Sequence, residues 1–233
     1  MTGRTPAGPR GRPRLVLATR NPGKVREITA IYAGLAARLS GLEDWPAIGE
    51  LPEDGDTYAE NAASKALAVA RATGLPALAD DSGVEIDALG GGPGVRSRRL
   101  LGEAASDADR NTYVLEQLAG FPPPRRTARY RAVVALATPN GRVQTFEGVC
   151  EGAIAERPRG TGGFGYDPIF EITGDGRTMA EVPPEVKNEI SHRARALRAA
   201  RSAVARALSG EGQEGLGTGA NSAEVSPSGG KDA

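Results

Sequence analysis

The chain has 233 residues, of which 39% are hydrophobic and 25% are charged, and its 29 Lys and Arg residues balance 29 Asp and Glu residues. This composition is typical of a globular domain with a sizeable core, and the balanced charge gives no indication of a nucleic-acid or membrane partner. Because the apolar runs fall well short of the ~20 residues of a membrane helix and the basic amino terminus lacks the apolar region of a secretory signal, we expect a cytoplasmic protein.

Both ends of the chain differ in composition from its middle. Residues 1–13 are rich in Gly, Pro and Arg, and residues 210–233 contain almost no large apolar side chains. Segments that bury so little apolar surface cannot offset the entropy lost on ordering. We therefore predict two disordered tails around a single folded domain over residues 14–209.

The first predicted elements are a strand over residues 15–18 and an amphipathic helix, joined by the turn sequence TRNPGK at 19–24. The helix is predicted from apolar residues at helical spacing, namely Val25, Ile28, Ile31, Tyr32, Leu35 and Leu39. A helix amino terminus attracts anions, and Lys24 adds a full positive charge. The turn is a candidate phosphate site, although it lacks P-loop spacing and an ordinary strand–helix turn has the same composition.

A second helix is predicted to begin at Thr57. Thr57 and Glu60 have the spacing of a capping box, an alanine-rich stretch follows, and Gly74 is a stop signal. The acids upstream, Glu53 and Asp54, are not needed to start this helix. They are candidate metal ligands, and a solvated acidic loop is the alternative.

An apolar strand predicted over residues 75–79 leads into the adjacent acids Asp80 and Asp81. Neighbouring residues on a strand point to opposite faces, and two adjacent carboxylates need cations or hydrogen bonds to offset their repulsion. Carboxylates at the end of a strand suit Mg²⁺, which prefers oxygen ligands. This stretch is therefore a candidate metal site.

A glycine-rich loop over residues 90–94 follows the two acids. Glycines let the backbone approach a ligand closely, and Arg96, Arg98 and Arg99 then bring the positive charge that phosphate binding needs. The combination of acids, glycines and arginines points to nucleotide phosphate. The alternative is a structural glycine loop with the aspartates in turns.

The remaining elements complete a mixed pattern. We predict a helix over residues 106–118 capped by Ser106, a β-hairpin of strands 127–138 and 142–151, and a last helix over 184–208. Strands and helices that alternate early and give way to an antiparallel hairpin predict an α/β fold.

Two later stretches carry candidate base-binding residues. In GTGGFGYDPIF, Phe164 or Tyr166 could stack on a base and Asp167 could accept hydrogen bonds from one, whereas packed aromatic rings in a turn are the alternative. The last helix carries the only histidine, His192, among polar neighbours. It has no second His or Cys cluster with which to form a zinc site.

Five motifs, in order, resemble those of the inosine triphosphate pyrophosphatase family: T-x-N-x-x-K after the first strand, ADDSG, GGxPG, GTGGFGYDPIF and ISHR. The resemblance covers roughly residues 15–208. It implies a mixed central β-sheet flanked by helices, in two lobes with the active site in the cleft between them. It also implies a homodimer that uses Mg²⁺ to hydrolyse non-standard purine nucleoside triphosphates (ITP, dITP and XTP) to the monophosphate and pyrophosphate. This reaction would remove the non-standard triphosphates from the nucleotide pool.

The resemblance also implies roles for individual residues. Asp81 would be the catalytic base and a metal ligand, and Glu53 the second metal ligand, with Asp54 as the adjacent alternative. The substrate-binding positions would be Thr19, Arg20, Asn21, Pro22, Gly23, Lys24, Ser82, Phe164, Gly165, Tyr166, Asp167, Lys187, His192 and Arg193. The chain departs from the family pattern after the glycine loop, where Arg96 and Arg98 add charge and Leu100 replaces a common aromatic residue.

These assignments lead to two hypotheses about the site. Asp81 would face the cleft, while Asp80 would point the other way into hydrogen bonds that hold the strand end. Donors from His192 or Arg193 would recognise the 6-oxo group that hypoxanthine and xanthine carry in place of the adenine amine. Discrimination by buried polar groups can reach ~10⁴-fold.

Three other functions fit parts of the sequence. A related pyrophosphatase for modified pyrimidine nucleotides would share the fold but carry other motifs. A nucleotide sensor would keep Lys24 and the aromatic loop without needing Asp81 and Glu53. A nucleic-acid-binding protein would use the arginine-rich amino terminus and Arg96 to Arg99, an interpretation that the zero net charge disfavours.

Overall fold

The computed structural model describes residues 12–102 and 104–209. The predicted disordered tails, 1–13 and 210–233, lie outside the described residues, apart from residues 12 and 13. Within the described part, no helix is both long and apolar enough to cross a membrane.

The described residues form six strands and five α-helices around one sheet. In chain order they are β1 Arg14–Leu17, α1 Pro22–Ile31, β2 Arg38–Ser40, α2 Tyr58–Thr73, β3 Ala77–Ile86, α3 Asp107–Gln117, β4 Thr127–Ala137, β5 Val143–Ile154, β6 Phe170–Ile172, α4 Pro184–Ile190 and α5 His192–Ser209. The strand order is β2-β1-β3-β4-β5-β6. β1 is parallel to β2 and β3, and the other neighbouring pairs are antiparallel. The predicted mixed α/β sheet is confirmed.

Local sequence signals placed several elements correctly. In α2, the Thr57 hydroxyl accepts from the Glu60 amide at 3.1 Å, and the Glu60 carboxylate accepts from the Thr57 amide at 3.0 Å. Gly74 ends this helix with a left-handed φ of +67°, a conformation that glycine adopts without the steric cost of a Cβ. Ser106 caps α3 as predicted, and β4 and β5 form the predicted hairpin.

The predicted first helix was too long. α1 ends at Ile31, and the chain turns through Gly34, whose φ is +85°. Leu39, assigned to the helix by its spacing, instead lies in β2 and pairs with Leu15. An apolar side chain at this position suits a helix or a strand, so the hydrophobic spacing does not show that α1 ends and β2 begins.

The predicted last helix is two helices. Ser191 has an extended backbone, with φ −67° and ψ 157°. Its hydroxyl accepts from the Ala194 amide at 3.2 Å, which is the role that serine favours at a helix amino terminus. The break turns α5 against the sheet and buries polar residues on both sides of it, namely Lys187, His192 and Arg193.

The two adjacent acids lie in the middle of a strand rather than at its end. β3 runs to Ile86 because β4 pairs with every residue from Ala77 onward. Alternation along β3 sends Asp80 toward α1 and α5, and Asp81 toward α2. Apolar clusters flank them on both faces, with Leu15 and Leu17 on the α1 and α5 side. The sheet therefore directs one acid toward each helix layer, with Asp80 buried and Asp81 partly exposed.

Candidate active site

Every catalytic, metal-binding and substrate-binding residue that the resemblance implies lines one cavity of about 1130 Å³, whereas the glycine loop over residues 90–94 and Arg96 do not line it. Its walls come from the β1–α1 turn, the loop before α2, the middle of β3, the 3-10 helix Gly94–Arg99, the loop before β6 and the junction of α4 with α5. Segments far apart in sequence are thus brought together where β3 carries its acids.

The β1–α1 turn is fixed by its own side chains. The Asn21 Oδ1 accepts from the amides of Gly23 and Lys24, at 2.8 and 3.2 Å, and the Thr19 hydroxyl accepts from the Asn21 amide at 3.1 Å. Pro22 occupies the first helical position, where it has no amide hydrogen to leave unpaired. Arg20 is exposed and donates to the Ile48 carbonyl, which ties the turn to the loop before α2.

Lys24 projects from this turn to the buried face of β3. Its Nζ lies 3.1 Å from the Asp80 Oδ1, and the Lys24 side chain is 16% exposed. Burial lowers the pKa of the Lys24 ammonium, and the Asp80 charge offsets only part of that effect. The turn therefore presents the Lys24 ammonium, which pairs with the buried Asp80 carboxylate on one side and lines the cavity on the other.

On the other face of β3, Asp81 meets α2. The Asn61 amide donates to the Asp81 Oδ2 at 3.0 Å, and the Lys65 Nζ lies 3.5 Å from the Asp81 Oδ1. Burial raises the pKa of the Asp81 carboxyl, with the Lys65 charge and the Asn61 hydrogen bond offsetting part of the increase. A carboxylate with a raised pKa in a cleft is suited to accept a proton.

Lys65 lies between the two predicted metal ligands. Its Nζ is 2.6 Å from the Glu53 Oε1 as well as 3.5 Å from Asp81, and its side chain is only 5% exposed. Burial alone would lower the pKa of Lys65, but the Asp81 and Glu53 charges outweigh it and raise the pKa. Asp54 also lines the cavity, but it is Glu53 that shares this cation with Asp81.

This donor set fits a Mg²⁺ ion. The ammonium of Lys65 shows that the two carboxylates face a common point that holds positive charge. Among the described residues, no group of three or more His, Cys, Asp or Glu side chains could hold a metal. Mg²⁺ does not require one, because it commonly binds through one or two carboxylates together with water and substrate phosphates.

Arg193 links both ends of the cavity through a buried ion network. Its Nε donates to the Asp80 Oδ2 at 2.9 Å, one terminal nitrogen donates to Glu27 at 2.6 Å, and the other to the Ser82 hydroxyl at 3.1 Å. Burial alone would raise the pKa of Asp80, but the Arg193 and Lys24 charges outweigh it and hold the pKa well below its usual range. Arg193 therefore enters the site with its position fixed by three oxygen partners.

Asp167 organises the far end of the cavity. Its Oδ2 accepts from the Phe164 amide at 2.8 Å and from the Lys187 ammonium at 2.5 Å, and its Oδ1 accepts from the Tyr130 hydroxyl at 3.2 Å. Lys187 also lies 2.9 Å from Glu27. The carboxylate is thus used to hold the aromatic loop and Lys187, with Asp167 itself 3% exposed.

The Phe164 ring spans the cavity between the aromatic loop and α1. The Lys187 Nζ lies 4.6 Å and the Arg193 guanidinium carbon 5.4 Å from its centroid, as in cation–π contacts. A Cβ on Gly23 would stand 2.7 Å from the ring. By contrast, Tyr166 is buried and its hydroxyl donates to the Ser97 carbonyl at 2.8 Å, so Phe164 is the more exposed of the two rings predicted to stack on a base.

His192 lies beneath this pocket, stacked on Tyr130 with ring centroids 4.5 Å apart. Its Nδ1 is buried and has no hydrogen-bond partner among the described residues. Burial, together with the Arg193 and Lys187 charges, lowers the pKa of His192 well below its ordinary value. The imidazole is therefore neutral, with one nitrogen able to donate and the other able to accept.

The glycine loop packs on the protein rather than opening onto the cavity. A Cβ on Gly83 would stand 2.2 Å from the Gly94 carbonyl oxygen, and the Ser97 hydroxyl accepts from the Val84 amide at 3.0 Å. The close approach between backbones thus depends on Gly83 in β3, whereas Gly90, Gly91 and Gly94 in the loop have left-handed φ values of +63°, +88° and +56°. Arg98 and Arg99 line the cavity mouth with exposed side chains.

Three residues that the sequence did not predict contact residues of the site, and two of them, Lys65 and Tyr130, also line the cavity. Lys65 belongs to an alanine-rich helix, Glu27 to the polar face of α1, and Tyr130 to a strand whose alternating pattern indicates only packing. Each gains its role through a contact across the sheet or between helices. A charged residue within an alanine-rich, core-facing helix was the only available signal, and it pointed to Lys65.

Comparison with known proteins agrees with this geometry. The model of the Ham1 family matches residues 15–203. A protein of Geobacter sulfurreducens named dITP/XTP pyrophosphatase is 55% identical over 184 residues, which cover 79% of this chain and 92% of that protein. One of the same name from Thermus thermophilus is 52% identical over 186 residues, 80% of this chain and 89% of that protein.

Solved structures agree as well. A HAM1 protein from Coxiella burnetii has a TM-score of 0.75 at 41% identity, covering 83% of this chain and 99% of that one. A nucleoside-triphosphatase, also named dITP/XTP pyrophosphatase, from Mycobacterium abscessus has a TM-score of 0.66 at 42% identity, covering 80% of this chain and 97% of that one. The resemblance predicted from the five motifs is confirmed, and the chain belongs to the Ham1 family.

Proposed function

We propose that this protein hydrolyses non-standard purine nucleoside triphosphates, namely dITP, XTP and ITP, to the monophosphate and pyrophosphate. One observation carries the proposal: a single cavity joins a carboxylate pair and lysines at one end to a buried polar and aromatic pocket at the other. The chain's 55% identity to a protein named dITP/XTP pyrophosphatase agrees with it.

The phosphates would lie between the β1–α1 turn and α2. Lys24 and Lys65 supply positive charge from opposite faces of β3. We propose that Asp81 takes the proton of the attacking water as the anhydride between the α and β phosphates breaks and pyrophosphate leaves. Glu53 and Asp81 would hold Mg²⁺, which when bound neutralises charge on the phosphate oxygens.

The base would lie against Phe164 in the pocket floored by His192. A neutral imidazole can donate to a 6-oxo group from one nitrogen, and the Phe164 ring offers a face for stacking. Arg193, the other predicted donor, is already bonded to Asp80, Glu27 and Ser82. We therefore assign the contact with the 6-oxo group to His192, while Arg193 holds the pocket in place.

The test is pyrophosphate release with and without Mg²⁺ from dITP, XTP, ITP, ATP, GTP and a modified pyrimidine triphosphate. We expect release from the first three only, and only with the metal. Preference for the pyrimidine would favour the related pyrophosphatase. Nucleotide binding without release from any substrate would favour the sensor and contradict the proposal.

Two further parts of the proposal concern the protein in the cell. We propose a homodimer, as the resemblance implies, and a cytoplasmic location, where free nucleoside triphosphates are found. Light scattering on the purified full chain would measure the oligomeric state, and a monomer at micromolar concentration would contradict the first part. Fractionation of the source cells would test the second.

A further inference from the structure

Side chains at the amino-terminal end of α3 bind two segments beside the cavity: the loop that carries Phe164, and residues 100–102, which follow the 3-10 helix of Arg98 and Arg99. None of these α3 residues belongs to the predicted site. Asp107 accepts from the Gly165 amide at 2.7 Å, and Asn111 donates from its amide nitrogen to the Gly165 carbonyl at 3.1 Å. Both polar groups of one residue are therefore bound by one helix. Gly165 has a left-handed φ of +63° and follows directly after Phe164.

The same end of α3 also binds the residues that follow the 3-10 helix Gly94–Arg99. The Arg110 guanidinium donates to the carbonyls of Leu100 and Gly102, at 3.1 and 3.2 Å, and to Asp107 at 3.2 Å. Arg110 is 4% exposed. The three side chains thus connect the loop that carries Arg98 and Arg99 to the loop that carries Phe164.

Asn111 is placed for this contact at the expense of its other polar atom. The residue is 5% exposed, and its Oδ1 is buried without a hydrogen-bond partner among the described residues. A carbonyl can only accept, so the bond to Gly165 fixes which way the amide points. Leaving a buried acceptor unpaired is costly, which indicates that the position serves the loop rather than the stability of α3.

We propose that Asp107 and Asn111 are positioning residues for the nucleotide base, an inference that rests on the proposed function. By holding the Gly165 peptide they fix the backbone next to Phe164, whose ring has little room beside Gly23. Without them the loop retains the Asp167 contacts but loses its attachment to α3. The ring then samples positions that no longer match the base.

The test compares Asn111→Ala, Asn111→Asp and Asp107→Asn with wild type, using dITP as substrate. Loss of a hydrogen bond of ordinary strength predicts a KM about fivefold to tenfold higher for both Asn111 variants. We expect kcat to stay within about twofold, because the lost interaction is equal in ground and transition states. Asp107→Asn keeps an acceptor for Gly165 and should show a smaller rise.

Asp109→Ala is the matched control. Asp109 lies in the first turn of α3, and within the described part of the chain its hydrogen bonds are all with Ser106, so its loss removes the helix cap without removing a hydrogen bond to either loop. We expect a lower melting temperature and an unchanged KM. A KM rise as large as that of Asn111→Ala would show that helix stability alone sets the KM and would overturn the proposal, as would a KM within twofold of wild type in both Asn111 variants.

Hydrogen exchange over residues 163–168 in the nucleotide-free protein separates this proposal from the proposed function. We expect faster exchange there in both Asn111 variants than in Asp109→Ala. If the wild-type protein released no pyrophosphate from any nucleotide, the proposed function would fail. Exchange that is no faster in the Asn111 variants than in Asp109→Ala would, independently, contradict the attachment of the loop to α3. If Asn111→Ala does not fold, Asn111→Asp carries both measurements.

Discussion

Asp80 and Arg193 form an ion pair whose side chains are 1% and 2% exposed, with 2.9 Å between the carboxylate Oδ2 and the guanidinium Nε. The pair joins the middle of β3 to the first turn of α5. Asp80 also holds Lys24, so a single carboxylate fixes one cation at each end of the cavity. Asp81, the next residue, is left to face the opposite helix layer.

We expect Asp80→Asn to lower the free energy of unfolding by about 3–5 kcal/mol, because it removes the buried carboxylate that Lys24 and Arg193 share and leaves Arg193 with Glu27 as its one acidic partner among the described residues. Urea denaturation would measure the loss. Asp87→Asn is the control, since Asp87 pairs with Arg129 at the surface and should cost no more than about 1 kcal/mol. Equal losses in the two variants would contradict the structural role of Asp80.

Lys65→Met removes the cation between Glu53 and Asp81. Without Mg²⁺ we expect a loss of no more than about 3 kcal/mol, because Asp81 loses a cation in a largely buried position, whereas the half-exposed Glu53 regains water. A divalent cation can then take the place of the ammonium, so Mg²⁺ should raise the melting temperature more in the variant than in wild type. Thermal unfolding with and without the metal measures this, and an equal effect of Mg²⁺ on both proteins would count against a shared cation position.

Gly23→Ala adds a methyl group where the Phe164 ring stands, with only 2.7 Å between the new Cβ and the ring. The ring must move, because real Cβ atoms do not approach so closely. We expect the KM for dITP to rise about tenfold, the effect of losing roughly 1.4 kcal/mol of binding, with the melting temperature little changed. Steady-state kinetics would show it. An unaltered KM would mean that Phe164 does not stack on the base.

The neutral state of His192 predicts how stability depends on pH. Its pKa is low in the folded protein and about 6.5 in the unfolded chain, so below pH ~6.5 the unfolded chain binds a proton that the folded protein does not. Stability is therefore lost as the pH falls below that value, by up to about 1.4 kcal/mol per pH unit. His192→Phe should lose less over the same range.

Because His192 is the only histidine, its NMR signals give a direct check. We expect no change in chemical shift between pH 7.5 and 6 in the folded protein. A titration near pH 6.5 would show that the imidazole is exposed and charged, which would contradict its place beneath the base pocket.

The sequence predicted the elements that have local signals. Thr57 with Glu60 marked α2, Ser106 marked α3, and turn residues marked the β4–β5 hairpin. It did not predict β2, whose Leu39 suits a helix face equally well, or the break at Ser191 between α4 and α5. β2 depends on pairing with β1, which no window of neighbouring residues shows. The break at Ser191 has only a weak local signal, a serine that can cap a helix, within an otherwise continuous helical pattern.

The site followed the same division. The motifs placed Asp81, Lys24 and Phe164 in one cavity, because turns and strand acids are chemically distinctive in sequence. Lys65 and Asn111 were not predicted, since a lysine and an asparagine within helices are ordinary until the sheet brings Asp81 or Gly165 beside them. The roles of Lys65 and Asn111 follow from contacts with residues distant in sequence, not from their residue types.

The most direct test of the account is pyrophosphate release from dITP by wild type and by Asp81→Asn, with nucleotide binding measured by calorimetry in both. Loss of a general base predicts a fall in kcat of about 10²–10⁴-fold with binding and melting temperature largely retained. That result would establish Asp81 as the group that accepts the proton of the attacking water. A variant that keeps more than about a tenth of the wild-type kcat would contradict the mechanism and leave the carboxylate pair without a catalytic role.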